Sequence, residues 1–109
     1  SEMKTFRYRI QRSGDNGTCE ITSAELAAEI RREGRLGVVA VRDRKGMRPM
    51  RCLYGVLWDY RGPDNPCRIF SADSWDQMTT LGLRAVDNDA FVGTPEERCE
   101  YFAALLEAL

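Results

Sequence analysis

Met50-Arg51-Cys52-Leu53-Tyr54-Gly55-Val56-Leu57-Trp58 is the stretch that decides how large a sheet this chain builds. Cys52, Tyr54, Val56 and Trp58 share one parity and Leu53 and Leu57 the other, so both faces are apolar. A short apolar run of this kind, bounded by turn residues, reads as a strand covered on both sides. Pro49 is tolerable at its start, and Gly55 marks a bulge or a close approach by a neighbouring element. With a central strand here, the other segments arrange themselves as a sheet and its covering helices.

Upstream, residues 3–12 alternate, with Phe6, Tyr8 and Ile10 opposite Thr5, Arg7, Arg9 and Gln11, as a half-buried strand does. Ser13-Gly14-Asp15-Asn16-Gly17 supplies turn chemistry, and Thr18 to Ile21 returns as a second strand. Thr22 and Glu25 form a capping box, with Ile21 and Leu26 as its hydrophobic staple. Leu26, Ala27 and Ile30 mark the buried side of a helix over 23–33, and Gly34 is its left-handed stop. Glu25 and Glu29 lie early in this helix and Arg31 and Arg32 late, as the helix dipole favours. Val38-Val39-Ala40-Val41 is a β-prone run, and Asp43-Arg44-Lys45-Gly46 turns it toward residue 50.

Downstream, Arg61 to Pro66 is a loop and Cys67-Arg68-Ile69-Phe70 a further strand. Ser71 or Asp73 caps a short helix that carries Trp75 and Met78 and stops at Gly82. Leu83 to Val86 reads as a brief strand and Asp87-Asn88-Asp89 as a loop. Thr94-Pro95-Glu96-Glu97 is a second capping box, opening a helix over 95–109 with Cys99, Phe102, Leu105, Leu106 and Leu109 as its apolar stripe. The order β-β-α-β-β-β-α-α predicts an α+β single domain over 3–109. Its mostly antiparallel sheet would hold about four to six strands, with two or three helices packed on one face. Ser1-Glu2 ahead of Met3 reads as an expression scar.

The chain has 109 residues, enough for one core without staples. It contains no histidine, which removes the commonest general base, the usual triads and most catalytic zinc sites. Cys19, Cys52, Cys67 and Cys99 lie 33, 15 and 32 positions apart, without the close pairing that zinc ligands use. Free thiols in a reducing cytoplasm are the expectation. No phosphate-binding glycine motif occurs, and Asp87-Asn88-Asp89 fails the calcium-loop pattern at Phe91 and Arg98. No secretory signal is visible, and the charge-free run Cys52 to Trp58 is too short to span a bilayer. No enzymatic activity, cofactor, metal site or membrane association is therefore expected.

Three binding readings remain. Residues 1–51 carry a net charge of +5 and residues 52–109 one of −6. Arg42, Arg44, Lys45, Arg48 and Arg51, in a predicted β-hairpin at 42–51 that Arg7 and Arg9 could extend, are the candidate nucleic-acid contacts. Asp59, Asp64, Asp73, Asp76, Asp87 and Asp89, with Glu96, Glu97 and Glu100, could present an acidic face, as an inhibitor or mimic does, to a partner's basic cleft. The reading preferred is contact with another protein chain, self-association included, through Tyr60 and Arg61 beyond the central run and through Tyr101, Leu105 and Leu109 on the last helix. That helix also carries Ala103, Ala104 and Ala108, so it is apolar on more than one side and needs more than one neighbour.

Overall fold

A computed structural model describes residues 4–11, 17–38, 50–58, 67–70 and 72–109. Strands β1 (Thr5–Gln11) and β2 (Thr18–Thr22) pair antiparallel, with Phe6 opposite Ile21 and Arg7 opposite Glu20. Phe6 and Ile21 are both buried, as the alternation requires. The ladder runs one residue further, because Ser23 N–H donates to the Lys4 carbonyl at 2.7 Å. Helix α1 (Ser23–Glu33) thus starts directly from the hairpin. Its capping box forms as the sequence dictates, and Gly34 ends it at φ +82° with its N–H on the Ile30 carbonyl.

The segment that decides the sheet departs from expectation. Met50 to Cys52 is irregular, and Leu53–Trp58 is a helix, α2. Leu53 and Val56, three apart, are buried, and Cys52 stands at its entry with its sulfur 3.4 Å from the Gly55 N–H. Strand β3 (Cys67–Phe70) then pairs antiparallel with β1, giving the order β2-β1-β3. Helices α3 (Ala72–Thr80), α4 (Ala85–Ala90) and α5 (Pro95–Glu107) follow.

The predicted four- to six-stranded α+β arrangement is therefore wrong. Among the described residues there are five helices and a small three-stranded sheet. Neither the strand at 83–86 nor the loop at 87–89 exists, since Ala85–Ala90 is helical. Val38 is not in a strand, and the rest of the 38–41 run lies outside the described residues, as do the turn at 43–46 and the loop at 61–66. The 42–51 hairpin loses its second strand to Met50–Cys52 and α2.

Where β3 ends, Ser74 continues the bonding of β1. Its hydroxyl accepts the Arg7 N–H at 2.6 Å and donates to the Arg7 carbonyl at 2.8 Å. Helix α3 closes with paired bonds from Leu83 N–H to the Met78 carbonyl and from Gly82 N–H to the Thr79 carbonyl. The core gathers Phe6 and Ile21 from the sheet, Leu26, Ala27 and Ile30 from α1, and Cys99, Phe102, Ala103 and Leu106 from α5, with Leu36, Leu53, Met78 and Leu83 filling between.

Among the described residues one buried side-chain oxygen has no hydrogen-bond partner. Ser23 Oγ is fully enclosed and makes no hydrogen bond. Removing it deletes an uncompensated desolvation cost and adds helix propensity. Ser23→Ala is expected to raise stability by about 1 kcal/mol in urea unfolding, against the usual sign for a buried substitution.

Candidate protein-contact face on the last helix

Helix α5 opens on its predicted box. Thr94 Oγ1 accepts the Glu97 N–H at 3.1 Å, and the Glu97 carboxylate accepts the Thr94 N–H at 2.9 Å. That backbone bond holds the Glu97 carboxyl below the usual glutamate range. Cys99, Phe102, Ala103 and Leu106 turn inward, and the Cys99 thiol donates to the Ile30 carbonyl at 3.0 Å. Burial pushes this thiol's pKa up, so it is a packing group and a poor nucleophile. On one edge Arg31 of α1 pairs with Glu100 at 2.9 Å and with Glu107. The guanidinium draws the Glu100 carboxyl down, and both carboxylates draw Arg31 up.

Among the described residues the other edge has no such ion pair. Tyr101 is 51% exposed, Ala104 and Ala108 are exposed, and Leu105 and Leu109 are only partly buried. Phe91, at the end of α4, lies with its ring 5.1 Å from Tyr101 and 6.4 Å from Phe102, while Tyr101 and Phe102 meet edge to face at 5.0 Å. Val92 follows at 94% exposure. Gly93 permits this corner: at φ +154° a Cβ would stand 2.8 Å from the Phe91 ring.

Beneath the aromatic corner is a buried polar hub. The Arg98 guanidinium donates to the Leu36 carbonyl at 2.8 Å, the Asn88 carbonyl at 2.9 Å and the Phe91 carbonyl at 3.3 Å, and sits 5.8 Å from the Phe91 ring centre. Asn88 Nδ2 donates to the Gly37 carbonyl and to Asp89 Oδ1, each at 2.9 Å. Asn88 Oδ1 accepts the Leu53 N–H at 3.1 Å, capping α2 from outside its own segment. Gly37 N–H reaches the Arg51 carbonyl and Leu36 N–H the Pro95 carbonyl, both at 3.0 Å. Phe91 is thus fixed by its backbone while its ring faces Tyr101.

Of the predicted protein contacts, Tyr101 and Leu105 lie on the open edge of α5 and Leu109 follows just beyond its end, whereas Tyr60 and Arg61 lie outside the described residues. Of the predicted nucleic-acid contacts, Arg42, Arg44, Lys45 and Arg48 also lie outside them. Arg51 pairs with the half-enclosed Glu33 at 3.1 Å, and Arg7 with its cross-strand neighbour Glu20 at 3.5 Å. Arg9 stands in β1 at the register position between Thr18 and Ile69. The acidic set is divided: Asp87 is bonded to Arg84 at 3.0 Å, Glu100 to Arg31, and Glu97 to a backbone N–H, while Asp76 is exposed on α3.

Sequence reasoning missed Phe91 and Val92. Their signal was an apolar pair just before Gly93-Thr94-Pro95, placed in no predicted element. Two open clefts of about 350 Å³ flank Gln77, one lined by Lys4, Asp76, Thr80 and Leu81, the other by Thr5, Arg7, Glu20 and Ser74. The Ser74 hydroxyl there is committed to the Arg7 backbone. Among the described residues no group of three or more Cys, Asp or Glu side chains could hold a metal ion, and no helix is long and apolar enough to cross a membrane.

The α1–α5 edge and the caps make stability pH-dependent. Glu97, Glu100 and Asp87 all have folded-state pKa values below their ordinary ones. Their contribution is complete above the ordinary glutamate value of 4.5 and is lost as pH falls through the lower folded values. Thermal midpoints are expected to hold between neutrality and pH 5 and to fall below about pH 4, less steeply in an Arg31→Gln variant. Comparison of the chain with known protein families, with characterised proteins and with solved structures finds no match.

Proposed function

We propose that this chain is a non-enzymatic cytoplasmic domain that works by binding another protein, with Phe91, Val92, Tyr101, Leu105 and Leu109 as its contact face. The observation that carries the reading is the aromatic corner. A half-exposed tyrosine stacks on Phe91 beside an almost fully exposed valine, all held on a hydrogen-bonded base. Scattered apolar side chains on a surface need no explanation, but a contiguous aromatic and aliphatic patch does. Tyrosine supplies contact area at low conformational cost, and a rigid support lowers what must be ordered on binding. The buried free thiol of Cys99 suits a reducing compartment.

Capture from an extract of the native host, using the intact protein with and without nuclease, tests the reading. Bound protein should survive nuclease and be lost when Val92→Ser and Tyr101→Ser are combined. Capture that vanishes with nuclease would instead favour the basic stretch 42–51 and a nucleic acid. Capture indifferent to the double variant would remove this face from consideration. Equilibrium sedimentation of the pure protein shows whether the partner is a second copy.

A further inference from the structure

Resting on that reading, we infer that the face accepts a cationic amphipathic helix of a partner protein. Two features of the face select this occupant. The first is charge. From Ala85 to Leu109 the chain carries Asp87, Asp89, Glu96, Glu97, Glu100 and Glu107 against a single base, Arg98. Arg98 is buried, and its guanidinium is turned to three carbonyls, so it offers nothing to the surface. Arg31 and Arg84 reach this side from outside the segment, each already bonded to its carboxylates. Glu97 lies one helical turn before Tyr101, and its bond is to a backbone N–H, so among the described residues its negative charge has no basic partner. The apolar strip is therefore bordered by negative charge.

The second feature is shape. Tyr101, Ala104, Leu105 and Ala108 follow the spacing that lines up along one helix edge. Tyr101 and Leu105 are the bulky members of that edge, and Ala104 and Ala108 are small and exposed, so a partner's side chains have room beside Tyr101. A helix laid along that edge packs its ridge beside these side chains, in the manner of other helix-in-groove contacts. A second copy related by a two-fold axis would set one acidic rim against another, and like charges across an interface oppose association. A lysine- or arginine-flanked apolar helix meets both the strip and its rim.

The test uses the full chain and three designed helical peptides of one pattern, built from leucine with lysine, glutamate or glutamine. Amide chemical shifts locate binding and titration measures it. The leucine–lysine peptide should move the signals of Val92, Tyr101, Ala104 and Leu105 and bind at least roughly tenfold more tightly than the leucine–glutamate peptide, with affinity falling as salt rises. Ala104 is exposed and makes no side-chain bond, so Ala104→Lys and Ala104→Glu perturb the helix comparably while differing in charge. Ala104→Lys should weaken the lysine peptide by roughly tenfold relative to Ala104→Glu.

Equal binding of all three peptides at this face would overturn the cationic partner and leave the protein-binding face standing. A dimer abolished by Tyr101→Ser, with no peptide bound, would identify a second copy and overturn the inference alone. No peptide binding, no dimer, and capture unaffected by the double variant would overturn both.

Discussion

Arg98→Met is expected to lower the unfolding free energy by about 4 kcal/mol, read as a shifted urea midpoint at unchanged slope. The methionine keeps most of the buried stem, so the loss isolates the guanidinium. Its three acceptors, the carbonyls of Leu36, Asn88 and Phe91, come from three separate stretches of chain: the loop after α1, the end of α4, and the corner before α5. Each carbonyl loses a charge-assisted bond in a place where water enters poorly, and each such loss costs about 1–3 kcal/mol. For a domain near this size the deficit corresponds to a fall in Tm of roughly 15–20 °C. Arg98→Lys should cost about half as much, because a single ammonium keeps the charge but cannot span the fork. A methionine variant within about 1 kcal/mol of the parent would mean that water replaces the guanidinium, and the hub would not be what fixes Phe91.

Asn88→Ala should be nearly as damaging, at about 3 kcal/mol, because one amide serves both a donor and an acceptor. Its loss leaves the Leu53 N–H at the head of α2 and the Gly37 carbonyl without partners. Asn88→Asp separates the two roles. The new carboxylate still accepts from Leu53, but its second oxygen faces the Gly37 carbonyl and the Asp89 carboxylate. Those neighbours and the burial raise the introduced group's pKa in the folded state. The deficit should therefore grow as pH rises above the ordinary aspartate value of 3.8 and shrink below it. Urea midpoints of the Asn88→Asp variant between pH 3 and pH 7 measure this, with Asn88→Ala as the pH-insensitive reference. A flat difference between the two variants would show that the amide nitrogen contributes nothing.

Helix ends were the most legible part of this chain. Thr22 with Glu25 and Thr94 with Glu97 are local signals, complete within four residues, and both boxes form. The first hairpin was equally legible, since its alternation needs only one dry side. The stretch 50–58 was misread because a short run that is apolar at nearly every position carries no period. Strand and helix burial look alike there, and β-branched content is low, with Val56 the only such residue. What makes it helical is distant: Asn88, thirty-five positions away, caps its first N–H. The predicted hairpin at 42–51 lost its second strand with it, since Met50 to Cys52 is irregular, while residues 42–49 lie outside the described residues.

The candidate face was half legible. Tyr101, Leu105 and Leu109 stood on the helix pattern, but Phe91 and Val92 stood in no predicted element, after a helix that was read as the end of a strand at 83–86 and a loop at 87–89. Arg98 was visible in principle. It lies one turn before Phe102 and beside Cys99, so a helical projection sets it within the apolar stripe, where a charged residue calls for buried acceptors. Which carbonyls it would meet depended on the tertiary fold.

Helices α1 and α5 close the core upon each other, yet Ile30 and Cys99 are separated by sixty-nine residues. During synthesis the first helix must wait, with Leu26, Ala27 and Ile30 uncovered, until α5 has left the ribosome. Contacts this remote slow folding and expose the nascent chain to chaperones and proteases. Premature termination before Pro95 should accordingly yield a product cleared by quality control, so the cellular abundance of this protein is sensitive to translation through the codons of α5.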